Sequence, residues 1–387
     1  MIYIDHAATS FPKPEPVVAE VTRFLRDEAA NPGRGGYRLV RAAAARVDAV
    51  RGQLTRFVGG DDPNRMILTY SATDGLNIAI RGVVRPGDRV IIDRLAHNSI
   101  YRPLRRLADA GRIELVTVDI ADPAGVLDPQ AVADALAAKP TRLVAIAHAS
   151  NVLGTLAPVG AIGPIVRRAG ALFLVDAAQS IGTVDIDVAR DAIDLLAFPG
   201  HKALQGPPGT GGLWVGPRAA ETIIPAVREG GTGGDSAYPT QPPIWPHWLE
   251  AGTHNTAGLA GLGAGLDWIA QRGGPAAILQ HERELVRPLV EFLAGDKRFT
   301  LYGPPPDRMA DRIGLVALNV AGMAPSDVAA ILDADFDIAV RAGLHCAPGA
   351  HRHAGSFPAG SVRISVGPMN TAVEIDGLIV ALKKIAS

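Results

Sequence analysis

The chain of 387 residues is too long for one small hydrophobic core, and its length predicts about two domains. Its 38 Lys and Arg residues nearly balance 39 Asp and Glu residues, which excludes a strongly basic surface for nucleic acid and favours a small-molecule substrate. The single cysteine, Cys346, excludes an intrachain disulfide. Because the sequence shows neither a basic leader nor an apolar run of membrane length, we expect a cytoplasmic protein without a membrane partner.

Short β-rich runs alternate with helical patterns between about residues 65 and 216. The runs are RMILTY, DRVIID, IELVTVDI, RLVAIAHA, ALFLVDAA, DLLAFPG and GLWVG. Their β-branched and apolar composition is typical of buried strands. The segments between them, such as NSIYRPLRRLADAG, carry apolar residues at helical spacing and end in glycine. The alternation predicts an α/β fold with a mainly parallel sheet covered on both faces.

Polar residues follow several of these predicted strands. They are Ser71 and Thr73 with Ala72 between them, His97, His148, Asn151, Asp176, Gln179, His201 and Lys202. In an open parallel sheet, ligands bind beyond the carboxyl ends of the strands. Each residue alone is typical of a cap or turn, but together they predict one site.

The stretch PGHKALQGPPGTGG, residues 199–212, allows more than one interpretation. Read from Gly206 it resembles a phosphate loop, but Gly212 and Leu213 occupy the places where that motif requires lysine and a hydroxyl residue. A plain turn is a second interpretation. In the third, Lys202 ends a buried strand, and Asp176 ends the strand before it.

Lysine and aspartate at these positions suit pyridoxal 5′-phosphate. The lysine forms a Schiff base with this cofactor, and the carboxylate keeps the pyridine nitrogen protonated. Ala72 and Thr73 start a predicted helix, and a helix N-terminus binds phosphate. His97 would lie over the ring.

Eight stretches, taken in their order and spacing, resemble the cysteine desulfurase and selenocysteine lyase group of the class V aminotransferase fold, along essentially the whole chain. They are IYIDHAATSFPKP, NPGRGGYRL, SATDGLNIAIRG, HASNVLGT, VDAAQSIG, PGHKALQGPPGTGGLWVG, EAGTHNTAGLAGLGAGL and VRAGLHCAPGAHRHAG. The resemblance implies fold type I of the pyridoxal-phosphate-dependent transferases, with a mainly parallel seven-stranded sheet in a large domain. We expect that domain to span residues 15–255, and residues 1–14 and 256–387 to form a smaller α+β domain with the cysteine loop.

The resemblance also implies roles for the residues around the cofactor. Lys202 becomes the Schiff-base lysine, and Asp176 the partner of the pyridine nitrogen. His97 becomes the ring-stacking acid and base, and Gln179 donates to the phenolic oxygen. The residues expected at the phosphate are Ala72, Thr73, His201 and, from the neighbouring subunit of a homodimer, Thr253.

The resemblance assigns substrate binding and sulfur transfer to four further residues. Asn151 and Arg363, with Arg341, would bind the substrate carboxylate. The enzyme would remove sulfur from L-cysteine, or selenium from L-selenocysteine, to give L-alanine, and Cys346 would accept the sulfur as a persulfide. A sulfur-acceptor protein would be a further partner. We expect the short loop after Cys346 to be stiff, and His345 and Arg341 to favour its thiolate form.

The sequence departs from the family pattern in places, among them the HRH stretch that contains His351 and His353. Pro199 stands where many relatives carry a hydroxyl residue, so one phosphate hydrogen bond should be missing. Asp74 replaces a common glutamate at a helix start.

Three alternatives remain open from the sequence. His345, Cys346, His351 and His353 are residue types that bind zinc, although adjacent His345 and Cys346 would make a strained chelate, and we expect no metal. A plain aminotransferase or C–S lyase would leave Cys346 without a catalytic role. A dimeric scaffold or sulfur-carrier binding module would keep the fold without needing these side chains.

Overall fold

The computed structural model describes residues 1–33, 35–232, 237 and 239–387. The strands are β1 (Ile2–Tyr3), β2 (Met66–Thr69), β3 (Arg89–Asp93), β4 (Glu114–Val118), β5 (Leu143–Ala147), β6 (Leu172–Asp176), β7 (Leu195–Pro199), β8 (Gly211–Val215), β9 (Phe299–Tyr302), β10 (Leu315–Val320), β11 (Ile338–Ala339), β12 (Arg341–Gly343) and β13 (Ser361–Ser365). The helices are α1 (Glu15–Asp27), α2 (Arg38–Phe57), α3 (Ala72–Val83), α4 (Asn98–Asp109), α5 (Pro129–Ala138), α6 (Val159–Arg168), α7 (Pro217–Ala220), α8 (Thr256–Gln271), α9 (Gly274–Gly295), α10 (Pro325–Phe336), α11 (Pro348–His353) and α12 (Ala372–Ile385). Short 3-10 helices span Pro63–Arg65 and Pro306–Asp311.

The central sheet has seven strands in the order β2-β8-β7-β6-β5-β3-β4. Strand β8 runs antiparallel to both of its neighbours, and the other pairings are parallel. Each of the seven β-rich runs predicted between residues 65 and 216 forms one of these strands. The predicted mainly parallel, seven-stranded sheet is therefore confirmed.

The strands are nearly continuous apolar runs because helices cover both faces of the sheet. Alternate residues of one strand point to opposite faces. Phe173 and Val175 of β6 therefore pack in one core, while Leu172 and Leu174 pack in the core on the other face.

Two adjacent glycines let β8 lie against β7. A Cβ atom at Gly212 would collide with the Phe198 ring, and one at Gly211 would lie 2.7 Å from the Phe198 carbonyl oxygen. Only glycine allows so close an approach of the two strands. The glycine-rich stretch thus leads into a strand, whereas a phosphate loop of a nucleotide hydrolase leads into a helix, so that interpretation is wrong.

A second layer is formed mainly by the C-terminal third of the chain. Strands β12, β13, β10 and β9 make an antiparallel sheet, and β1 pairs with β11, which joins the N-terminus to this layer. Helix α8 packs instead into a core of the large sheet through Leu262 and Ile269. The domain division at residues 15 and 255 stays a prediction.

None of the helices in the described part of the chain is long and apolar enough to cross a bilayer.

Candidate active site

A pocket opens at the carboxyl ends of the central strands, where the sequence predicted it. It is lined by most of the residues singled out there, Ser71 included, together with Ser99 and Pro199. The predicted residues in its wall are Ala72, Thr73, His97, Asn151, Asp176, Gln179, His201 and Lys202. The adjacent, parallel strands β5, β6 and β7 bring together Asn151, Asp176, Gln179, His201 and Lys202. Ala72 and Thr73 follow β2, and His97 follows β3.

Burial shifts the pKa values of both Lys202 and Asp176. It lowers the pKa of the Lys202 ammonium to about 8, against the opposing effect of Asp176. Burial also raises the pKa of Asp176, although the backbone N–H of Ala178 donates to its Oδ1 at 2.9 Å and Lys202 favours its charged form. A lysine with a pKa near neutrality offers more free amine for nucleophilic attack than an exposed lysine does.

His97 caps the N-terminus of α4 in the wall of the pocket. Its Nδ1 accepts a hydrogen bond from the backbone N–H of Ser99 at 3.1 Å, which leaves the ring proton on Nε2. Burial, followed by the charge of Lys202, lowers the pKa of His97 to about 4. The imidazole is therefore neutral at neutral pH.

Ser99 is a site residue that the sequence analysis missed. Its Oγ lies 2.8 Å from Thr73 Oγ1 and 2.9 Å from His97 Nδ1, so it links the starts of α3 and α4. Its place two residues after His97 at a predicted helix start was a usable signal.

The start of α3 offers donors to an anion. Ser71 caps the helix by accepting from the backbone N–H of Asp74, and Ala72 and Thr73 form its first turn in the pocket wall. On the opposite side, His201 Nδ1 lies 3.1 Å from Thr9 Oγ1. Burial lowers the pKa of His201 to about 4, assisted by Lys202 and Lys13, so its ring is neutral.

Arg363 is buried beside the pocket, with 2% of its surface exposed. Its Nη2 donates to Asp5 at 2.7 Å, its Nη1 donates to the carbonyl oxygen of Asn151 at 3.2 Å, and its Nε has no partner in the described structure. A role as an ordinary surface arginine is therefore excluded. Asp5 was missed as a site residue, although it stands in the quoted stretch IYIDHAATS.

The Cys346 loop is fixed against the start of α4. The carbonyl oxygen of Cys346 accepts from the backbone N–H of Asn98 at 2.8 Å, which places the exposed cysteine in the same groove as His97. Both His345 and Cys346 adopt positive φ angles, 47° and 60°. Non-glycine residues hold this conformation only where neighbouring contacts impose it.

His345 does not assist the Cys346 thiolate as expected. Its ring is turned inward to the carbonyl oxygen of Ser361 at 3.1 Å. Burial, with the nearby charge of Arg363, lowers the pKa of His345 to about 3, so the ring carries no positive charge at neutral pH. The expectation is therefore wrong for His345, whereas for Arg341 it stays a prediction.

The zinc alternative finds no ligand cluster in the described parts of the chain, where no group of three or more His, Cys, Asp or Glu residues could hold a metal ion. The His345 and His351 rings are 5.6 Å apart, but His351 Nδ1 is engaged by Ser356 Oγ at 2.7 Å.

Three other singled-out residues lie outside the pocket wall. Thr253 is exposed, and its carbonyl oxygen accepts from Tyr70 Oη at 2.9 Å. Arg341 is exposed on β12. His148 is buried, and its Nδ1 has no hydrogen-bond partner among the described residues.

The chain is similar to known proteins along its full length. Residues 2–378 match the aminotransferase class-V family. A protein of Methanothermobacter thermautotrophicus named as a probable cysteine desulfurase is 37% identical, with 100% of this chain and 94% of that protein covered. A cysteine desulfurase of Salmonella agona is 34% identical, with 100% and 93% covered. The apo structure of a cysteine desulfurase from Thermococcus onnurineus matches with a TM-score of 0.92 at 33% identity, covering 100% of this chain and 94% of that one.

The pocket residues fit pyridoxal 5′-phosphate. Asp176 is a buried carboxylate suited to a protonated pyridine nitrogen. The first turn of α3 can bind a phosphate, and the unpartnered Nε of Arg363 can bind a carboxylate. The chain belongs to the class V aminotransferase family, whose cofactor is pyridoxal 5′-phosphate.

Proposed function

We propose that this chain is a cysteine desulfurase, which converts L-cysteine to L-alanine and leaves the sulfur as a persulfide on Cys346. The names of its curated relatives support the reaction. The observation that carries the role of Cys346 is its backbone hydrogen bond to Asn98, which holds the only cysteine beside His97.

The residues of the pocket suit the successive steps of this reaction. Bound pyridoxal phosphate supplies an electron sink for the charge that develops at the substrate α-carbon. Asp176 would keep the proton on the pyridine nitrogen of this cofactor, and Gln179 would donate a hydrogen bond to its phenolic oxygen. Lys202, with its lowered pKa, takes the α-proton as a base.

Sulfur transfer then involves His97 and Cys346. The neutral imidazole of His97 is suited to move a proton at the substrate thiol or at the carbon left behind. The Cys346 thiolate attacks the substrate sulfur, so an S–S bond forms as the C–S bond breaks. The β-carbon keeps the electron pair, takes a proton and leaves as alanine.

Substrate orientation falls to Arg363 and Asn151. The free Nε of Arg363 can donate to the substrate carboxylate, and the two residues already contact each other. A guanidinium holds a planar carboxylate in a fixed direction, which lysine cannot do. Arg341 stays a proposed ligand whose charge acts from outside the pocket wall.

We also infer a homodimer. Thr253 is exposed and absent from the wall of its own pocket, which suits a phosphate ligand contributed to a second copy, alongside Thr73 and His201. A cytoplasmic location and a sulfur-acceptor protein remain proposals that fit a chain with one cysteine.

Product analysis tests this function. Purified holoenzyme would be incubated with cysteine and with selenocysteine, each with and without a thiol reductant, and alanine and sulfide or selenide would be measured. We expect alanine from both. Transfer of an amino group to a keto acid, or pyruvate in place of alanine, would instead support the aminotransferase or lyase alternative.

A further inference from the structure

The groove outside the cofactor pocket is basic. It is larger than the cofactor pocket, about 420 Å³ against about 90 Å³, and it is the groove onto which Cys346 opens. Arg81 of α3 and Arg102 and Arg106 of α4 line it, with Asn77 and Asn98. None of the described residues in its wall is acidic.

The three arginines are not neutralised by neighbouring carboxylates. Arg81 Nε only reaches the Asn77 side-chain oxygen at 3.4 Å. Arg102 and Arg106 are exposed, and their guanidinium groups make neither a hydrogen bond nor an ion pair with any described residue. Arg105, on the same helix, is instead paired with Asp109 at 2.6 Å and does not line the groove.

The positive charge extends to the reacting end of the groove. Arg102 contributes to the lowered pKa of His97, after burial and Lys202. A concave surface that carries one sign of charge concentrates ligands of the opposite sign and raises their rate of association. Cys346 lies in the wall of this surface, so a molecule that reaches its sulfur must enter this field.

We propose that this basic groove selects the sulfur acceptor, and that the acceptor is a thiol with carboxylates beside its sulfur atom. This inference rests on the proposed function. The acceptor thiolate attacks the outer sulfur of the Cys346 persulfide, the S–S bond breaks, and Cys346 leaves as a thiolate while the acceptor becomes the persulfide. Sulfur moves with no net oxidation or reduction and no change in total charge.

The first test probes the groove without requiring turnover. The holoenzyme would be alkylated with iodoacetate, an anion, and with neutral iodoacetamide, and modification of Cys346 would be followed by mass spectrometry. The quantity compared is the rate constant with iodoacetate divided by the rate constant with iodoacetamide. At low salt we expect this ratio to be about tenfold higher for Cys346 than for free cysteine. Added salt shortens the Debye length and should lower the ratio. The double variant Arg102→Gln/Arg106→Gln should lose most of this preference, and Arg105→Gln should keep it.

The second test measures sulfur transfer. Holoenzyme loaded with cysteine would be discharged by mercaptosuccinate, 2-mercaptoethanol or cysteamine, and rate constants would be compared per thiolate. We expect mercaptosuccinate to react fastest and cysteamine slowest. In the double variant the differences between the three rate constants should be smaller. Short cysteine peptides flanked by glutamate or by lysine would show whether an acidic protein segment or a small thiol is preferred.

The outcomes separate the two proposals. If no persulfide forms on Cys346 during loading, the proposed function fails, and the alkylation ratio still reports on the groove. If the persulfide forms but the three thiols discharge it at equal rates, the inference is overturned and the proposed function stands. An alkylation preference that survives in the double variant also overturns the inference.

Discussion

Arg363 donates to the carboxylate of Asp5 at 2.7 Å, so the ends of the chain meet beside the cofactor pocket. Asp5 also forms a bridge with Ser365 of β13, the strand that carries Arg363. Because burial lowers the pKa of Arg363 and Asp5 opposes this shift, the carboxylate helps to keep the guanidinium charged. Asp5 therefore positions the arginine that we propose for substrate binding.

Arg363→Lys should raise the KM for every amino-acid substrate by about tenfold. A lysine cannot reproduce the planar, forked arrangement of the guanidinium N–H donors. Hydrogen bonds to charged groups are worth about 1.5–3 kcal/mol. Steady-state kinetics with cysteine would measure KM and kcat separately. Arg298→Lys, at an exposed arginine paired with Asp296, is the control. An unchanged KM in Arg363→Lys would remove this residue from substrate binding.

Lys202→Ala should abolish the covalent link between the protein and its cofactor. The wild-type protein should be yellow and should gain the mass of the cofactor on Lys202 after borohydride reduction. Lys13 is the matched control, because burial also lowers its pKa to about 8 and its Nζ donates to the His201 carbonyl oxygen at 2.8 Å. Lys13→Ala should keep the link, and a reduced adduct on Lys13 would contradict the assignment.

His97→Ala should keep the cofactor and lose turnover by about 10²–10⁴-fold, the range typical of a general acid or base. Ser99→Ala should cost less, since the backbone N–H that orients His97 remains. Absorbance would report cofactor binding and alanine release would report turnover. Normal turnover in His97→Ala would show that this ring takes no part in proton transfer.

Cys346→Ala should retain the cofactor and the spectral change on adding cysteine but lose alanine production, because no thiolate remains to take the sulfur. Activity with selenocysteine should fall less, since the weaker C–Se bond can break without a covalent acceptor. Mass spectrometry should find a persulfide increment on wild-type protein and none on the variant. If the variant produced alanine from cysteine at the wild-type rate, the desulfurase proposal would be contradicted.

The free energy of unfolding should decrease as the pH falls from 7 towards 4. Burial lowers the pKa values of His6 and His148 to about 4, so between pH 6.5 and 4 the unfolded chain binds more protons than the folded one. Glu282 acts in the opposite direction, because burial raises its pKa to about 8 and the folded state holds that proton.

His148→Gln isolates one of these groups. It should reduce the pH dependence by up to about 1.4 kcal/mol per pH unit, the contribution of one proton. Chemical unfolding of the wild-type and variant holoenzymes at pH 7 and pH 5 would measure it. An identical pH dependence in both proteins would mean that His148 titrates alike in the folded and unfolded chains.

The sequence by itself determined the central sheet and the residues at its carboxyl edge. Strands buried on both faces are continuous apolar runs, and the residue after each run is fixed by chain order, so Asp176, Lys202 and His97 could be assigned to one rim from local pattern alone.

Only the tertiary structure decided the contacts between segments far apart in the chain. Asp5 meets Arg363, Asn98 binds the loop at Cys346, and Ser99 joins His97 to Thr73. The orientation of His345 was likewise missed, because a side chain beside the thiol in sequence turned away to Ser361. Local periodicity specifies which face of an element is buried, whereas these partners depend on how the elements pack, which no single stretch of sequence encodes.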